Sequence, residues 1–337
     1  MTNKLRSFHL SAGLLLLGLL TACASTGTGP VTRADLDVVA QDDQFAIVRL
    51  GAGQTPEDLA RVFLGSSAEI WQLHEVNARA RHGAGDFVAV PLKPLNVTSV
   101  YAGSYRSIPI LCYHQFTRSN EAAHRLELPA RDFEDQLRYL SNAGYEFLSF
   151  ADVAAIMEQQ RPVPEKAVVL TIDDGYESVY DVAWPLLQQY NARATLFIYT
   201  DFIGAGAALD WAQLKEMDAS ELIEIESHGK SHASLARTPE DQNEKSYSLR
   251  LVDEISGSEA AFMANLGRAP RFLSYPYGNS SRVIADLLRD SGYDLAATVT
   301  RGTNGSFADP FLLHRTMIYS DHTLSDLKKF VRMSWRY

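Results

Sequence analysis

Hydrophobic positions along the chain fall into three regimes. The first is a mainly apolar run from Leu10 to Leu20 behind Lys4 and Arg6; it is too short to span a bilayer and stay there, and reads as the core of a secretory signal. The second, from about Asp42 to Leu92, holds short elements. Phe45-Ala46-Ile47-Val48 is strand-like, Pro56 to Phe63 and Ser67 to Asn77 carry helical spacing, and Phe87-Val88-Ala89-Val90-Pro91 closes the unit. Pro56 after Thr55 is a good helix start, because a first-turn proline loses no hydrogen bond. In the third regime strand-like runs alternate with helical periods. The expected strands are Pro109 to Tyr113, Glu146 to Phe150, Ala167 to Ile172, Ala194 to Tyr199, Leu222 to Glu226, Phe272 to Tyr275 and Leu295 to Val299. Helical segments include Asp132 to Ala143, Val179 to Tyr190 and Arg282 to Ser291. Such alternation predicts an α/β fold with a largely parallel sheet or barrel and a site at the strands' C-terminal ends.

Composition narrows the function classes. The chain has 337 residues, 46% hydrophobic and 21% charged, which are ordinary globular values and allow two domains. Its 31 basic and 41 acidic residues give a net charge of -10. Loss of residues 1–22 removes two basic residues and no acid, leaving -12. An acidic chain without a Lys/Arg-rich run is a poor binder of nucleic acid, whose affinity comes from cations on phosphates. No G-x-G-x-x-G or Walker-type loop suggests a nucleotide, and phosphoryl transfer lacks a phosphate cradle.

The apolar run ends in Leu20-Thr21-Ala22-Cys23, which resembles a bacterial lipobox. The resemblance implies cleavage after residue 22, lipidation of Cys23 and a membrane attachment through the lipid; Ala24 in the next position favours the outer membrane, facing the periplasm. A polar linker, 23–41, then leads to the unit at 42–92. Its strand-helix-helix-strand order, with Gly53-Gln54-Thr55 before the first helix and a final Val-Pro, resembles a LysM module, which implies binding of N-acetylglucosamine-containing glycan. A second linker is expected at 93–107. With Cys23 lipidated, Cys112 has no intramolecular partner, and its apolar surroundings mark it as a buried small hydrophobe.

Three segments of the third regime concentrate chemistry. Asp173 and Asp174 follow the apolar run Ala167–Leu170 and precede Gly175; adjacent carboxylates repel, and a metal ion is the economical compensation. His228 and His232 follow a second strand-like run, at a spacing that places two imidazoles on one face of a helical turn. Two histidines and one carboxylate from another strand end make a three-ligand metal site with open positions. Tyr275-Pro276-Tyr277-Gly278 forms a rigid turn after a third strand.

The order of Thr-x-Asp-Asp-Gly, His-x-x-x-His and Tyr-Pro-Tyr-Gly resembles the polysaccharide deacetylase family (NodB homology domain, carbohydrate esterase family 4), over Ile108 to Arg315. The resemblance implies a distorted (β/α) barrel over 108–337. It implies Asp173 as general base, Asp174, His228 and His232 as ligands of a divalent metal (zinc, or cobalt or nickel), and the Tyr277 amide as an oxyanion donor. The reaction would be hydrolysis of N-acetyl groups on an N-acetylglucosamine-containing polysaccharide. Ser274 stands where many members carry Arg, so the partner that tunes Asp173 is open. For the general acid, Leu111-Cys112-Tyr113-His114 resembles the motif of a branch that includes poly-N-acetylglucosamine deacetylases; this favours His114 over His314. A catalytically inactive glycan-binding lipoprotein and an O-deacetylase are the alternatives.

Overall fold

The computed structural model describes residues 30–77, 82–93, 95–101, 103–332 and 334–336. The expected signal segment 1–22 and the lipidation site Cys23 lie outside these residues. After Lys93 the chain divides into two compact units.

In the first unit, β1 (Asp37–Gln41), β2 (Phe45–Arg49) and β3 (Phe87–Pro91) form an antiparallel sheet with β2 in the middle. Helix α1 (Pro56–Leu64) starts where Thr55 and Asp58 cap each other's backbone and ends at Gly65. The expected helix over 67–77 is a 3-10 turn, Ser67–Glu69, followed by α2 (Ile70–Val76). Asn77 ties α2 to the sheet: its side-chain amide donates to Leu73 O and Ala89 O, both at 2.7 Å, and accepts from the Ala89 amide at 2.9 Å. The strand β1 corrects the boundary of the expected linker 23–41. Four of its five residues are exposed, so it carries no burial alternation to read, and it is held by backbone pairing to β2 with a slip between Val38 and Ala40.

The second unit is built on a curled, mainly parallel sheet. Its strands are β4 (Ile108–Tyr113), β5 (Glu146–Leu148), β6 (Ala167–Asp174), β7 (Ala194–Ile198), β8 (Ile223–Ser227), β9 (Phe272–Ser274) and β10 (Leu295–Ala297). They lie in the order β10-β9-β8-β7-β6-β4, with β5 also paired to β6. All eight residues of β6 are buried, which fits a strand covered on both faces. Around the sheet pack α3 (Ala130–Asn142), α4 (Phe150–Met157), α5 (Trp184–Gln189), α6 (Trp211–Asp218), α7 (Glu244–Leu266), α8 (Arg282–Asp290) and α9 (Leu324–Phe330). The segment 313–317 joins the two ends of the sheet: Leu313 bridges Ala297 of β10, and β11 (Thr316–Met317) pairs with β4. It thereby carries Arg315 into the interior.

Several boundaries differ from expectation. Phe150 opens α4 instead of ending a strand, because the Ser149 hydroxyl accepts the Asp152 amide and caps the helix there. The expected helix 179–190 begins with a π-type turn, Val179–Ala183, just before Pro185, whose missing N–H disturbs the regular ladder. The expected linker 93–107 holds two short strands, Val100–Tyr101 and Ser104–Arg106, which pair with each other.

Candidate active site

The residues singled out from the sequence converge at the C-terminal ends of β4, β6, β8 and β9. Successive side chains of a regular strand point to opposite faces, so two adjacent carboxylates reach one site only if the strand is broken there. Asp174 has φ 82 and Gly175 φ 95, both left-handed. At Gly175 the positive φ favours glycine, and a Cβ would crowd Ile203 Cδ1 at 2.9 Å and Ile198 Cγ2 at 3.0 Å. A non-glycine residue held at positive φ stores strain, a frequent property of functional sites.

His228 and His232 meet, but not on a helix. The segment after β8 is a loop in which Gly229 has φ 84 and His232 φ 63; these left-handed residues correct the helical-turn expectation. Each histidine places Nε2 3.5 Å from Asp174 Oδ1. Their Nδ1 atoms are engaged elsewhere, His228 with Ser274 O at 2.7 Å and His232 with the Tyr277 hydroxyl at 3.2 Å. Burial drives the His228 pKa down to about 4, so the ring is neutral, and its Nδ1–H donates to the Ser274 carbonyl. The Nε2 lone pair then faces Asp174, the tautomer a metal ligand needs.

Asp174 Oδ1 is buried and has no hydrogen-bond partner. Burial, with the charge of Asp173 adding to it, pushes the Asp174 carboxyl up to about 7. An orphaned carboxylate oxygen facing two imidazole nitrogens calls for a cation. Two atoms bound tetrahedrally to zinc at about 2.0–2.2 Å lie about 3.3–3.6 Å apart, which the observed 3.5 Å separations match. The ligand atoms of Asp174, His228 and His232 all fall within 4.8 Å of one another. The donor set fits a divalent metal ion.

Asp173 has a partner that the sequence did not reveal. Arg315, fully buried, donates from Nη1 to Asp173 Oδ1 at 2.8 Å and from Nη2 to Asp173 Oδ2 at 2.7 Å. Its remaining bonds go to Thr171 Oγ1, Ser274 Oγ and Thr298 O, which satisfies all five guanidinium hydrogens. Ser274 Oγ in turn donates to Asp173 Oδ2 at 3.0 Å. Burial alone would raise the Asp173 pKa; the charge of Arg315 and its hydrogen bonds outweigh it and hold the carboxyl well below the usual range. The only sequence signal was the arginine's place directly after His314.

The two histidines considered as acids separate cleanly. His114 stands beside Asp173: its ligand atom, that of Asp173 and Cys112 Sγ lie within 4.8 Å of one another, and its Nδ1 is buried without a partner. Burial lowers the His114 pKa, against the charge of Asp173. His314 is exposed and packs over Gly302, while Arg315, one residue on, points inward. The structure therefore brings His114 to Asp173 and leaves His314 outside. Cys112 is buried as expected, yet it is more than a filler, since its thiol lies 3.5 Å from Asp173 Oδ2.

Tyr277 sits in the 3-10 turn Pro276–Gly278 with φ 61, and its ring, 63% exposed, lies 4.6 Å from that of His232. The turn's own hydrogen bonds come from the Gly278 and Asn279 amides, so the Tyr277 N–H stands outside them. A Cβ on Gly278 would lie 2.4 Å from Val299 Cγ2, which fixes glycine at that position.

Comparisons with known proteins find similarity to polysaccharide deacetylases. The family model described as "Polysaccharide deacetylase" matches residues 160–296. YxkH of Bacillus subtilis (strain 168), named as a candidate polysaccharide deacetylase, is 30% identical over 212 residues, 63% of this chain and 71% of that protein. The poly-beta-1,6-N-acetyl-D-glucosamine N-deacetylase of Staphylococcus aureus (strain MRSA252) is 24% identical over 168 residues, 48% of this chain. The match spans 58% of the staphylococcal protein's length. Among solved structures, IcaB from Ammonifex degensii superposes with a TM-score of 0.60 at 25% identity, over 67% of this chain and 97% of that one.

Proposed function

We propose, from the premise that this chain belongs to the polysaccharide deacetylase family, that it is a metal-dependent hydrolase removing N-acetyl groups from an N-acetylglucosamine-containing polysaccharide. One observation carries the reading: the unpartnered Asp174 Oδ1 facing His228 and His232, beside an Asp173 that Arg315 keeps ionised. A divalent ion held by Asp174, His228 and His232 would supply Lewis-acid polarisation of the acetyl carbonyl and of the attacking water. Asp173 is the group that takes the water's proton. Arg315 keeps it ionised and so able to accept, and His114 is the neighbour to which the proton passes on. His114 then protonates the departing amine, which is otherwise a poor leaving group. The Tyr277 amide would donate to the oxyanion.

The similarity to the staphylococcal N-deacetylase supports poly-β-1,6-N-acetylglucosamine as the first substrate to test. We further propose that the unit before Lys93 is a LysM-like glycan-binding module, and that Cys23 is lipidated and anchors the protein in the bacterial envelope, at the outer membrane. The supporting features are the paired helices beside a small sheet and the Leu20-Thr21-Ala22-Cys23 motif.

Incubation of the purified chain with poly-N-acetylglucosamine, peptidoglycan, chitin fragments and an O-acetylated polymer tests the assignment. Acetate should appear together with an equal number of free amines from an N-acetylated polymer. Acetate without amines, from the O-acetylated polymer alone, would make the enzyme an O-deacetylase; no acetate from any of them would support a glycan-binding role.

A further inference from the structure

Helix α7 lies behind the loop that carries His232, and one of its faces is shaped to that loop. Glu254, Gly257 and Ser258 stand at i, i+3 and i+4 on this face. Glu254 is only 4% exposed. Its Oε2 accepts the amide hydrogens of Lys230 and Ser231, both at 3.0 Å, and its Oε1 accepts the Ser231 hydroxyl. None of these partners is a cation. At Gly257 the Lys230 stem takes the room of a side chain, since a Cβ would lie 2.6 Å from Lys230 Cδ. Ser258 Oγ bonds Ser227 Oγ at 3.0 Å, and Ser227 Oγ accepts the Gly229 amide at 3.1 Å. On the loop's other side, the Thr200 and Asp201 amides donate to the Gly229 and Lys230 carbonyls at 3.3 and 2.8 Å.

A buried carboxylate is costly unless hydrogen-bonded, and here the bonds go to two consecutive amides lying between two left-handed residues. Gly229 and His232, which flank those amides, have φ 84 and 63, so the bonds to Glu254 pin the middle of the turn that links the two histidines. We infer that Glu254 is a positioning residue for the His228/His232 pair, fixing the 229–232 loop in the conformation that directs both Nε2 atoms at Asp174 Oδ1. The inference rests on the metal reading above and adds the residue that prepares the loop for the ion. Outer partners that orient ligands in this way typically change metal affinity about 10- to 100-fold when replaced.

Glu254→Gln keeps the shape but replaces the ionised acceptor of the two amides by a neutral one and reverses the bond with the Ser231 hydroxyl. The full chain is prepared metal-free, and Zn²⁺ binding is measured by competition with a chromophoric chelator. Zn²⁺ affinity should fall about 10- to 100-fold, and the Co²⁺-loaded variant should show altered d–d bands. Turnover at saturating metal should drop with KM unchanged. Asp253→Asn, next to Glu254 on α7 and bonded only to the Lys230 side chain, should stay within about twofold of wild type. Glu254→Gln binding Zn²⁺ as wild type does, with an unchanged Co²⁺ spectrum, would overturn the inference. If Glu254→Gln does not fold, Ser231→Ala takes its place: weaker Zn²⁺ binding supports the inference and unaltered binding overturns it. A wild-type chain that takes up no divalent ion fails differently, because it removes the metal reading itself.

Discussion

Arg315→Met should destabilise the second unit by about 3–5 kcal/mol, because it strands the buried Asp173 carboxylate without its partner. For a unit of this size that is a fall in melting temperature of roughly 6–20 °C. Both Asp173 oxygens accept from Arg315, and neither residue is more than 2% exposed. Asp173→Asn in the Arg315→Met background should recover part of the loss, since the stranded charge is then gone. Arg315→Lys should fall between, because an ammonium cannot reproduce the two parallel bonds. Thermal unfolding of the full chain, followed by circular dichroism, reads all three. An Arg315→Met midpoint within about 1 °C of wild type would show that the pair does not hold the interior together.

His114→Ala should lower kcat by about 10²- to 10⁴-fold, the usual worth of a positioned acid–base group. Bound metal should be unchanged, since His114 belongs with Cys112 and Asp173 and not with the Asp174 group. The defect should shrink on an ester substrate, whose alkoxide leaves with less need of a proton than an amine. His314→Ala should be nearly silent, because that side chain points away from the site. Steady-state rates on matched amide and ester acetyl substrates, with metal content measured alongside, test this. A full loss in His314→Ala with a mild effect in His114→Ala would reverse the assignment.

Much of this site was legible because its residues sit where strands end. The buried run of β4 and the first part of β6 are apolar, β8 alternates isoleucine with glutamate, and the chemical residues stand at or just after the strand ends, so Asp173, Asp174 and His228 could be read from local pattern. Partnership across the fold was not legible. Arg315 meets Asp173 from 142 residues away, and only the crossing of segment 313–317 from β10 to β4 brings it there. Helix α7 was missed for a related reason. Ser256, Gly257 and Ser258 interrupt its apolar period, and they do so where the helix receives the His232 loop instead of an apolar surface. The loop's left-handed turn was read as helical because spacing alone cannot report the sign of φ at Gly229 and His232. Strand β1 escaped notice because it is exposed along nearly its whole length.

We propose that one divalent ion on Asp174, His228 and His232 serves acetyl hydrolysis in which Asp173 moves the proton. Metal content and acetate release, measured on the same preparations of wild type, His228→Ala and Asp173→Asn during titration of the metal-free chain with Zn²⁺, test it most directly. Wild type should take up one ion per chain, and its activity on N-acetylglucosamine oligomers should rise in step with occupancy. His228→Ala should lose both, and Asp173→Asn should keep the ion while losing most activity. Full acetate release by the metal-free chain, or an Asp173→Asn that loses the ion while His228→Ala retains it, would contradict the account.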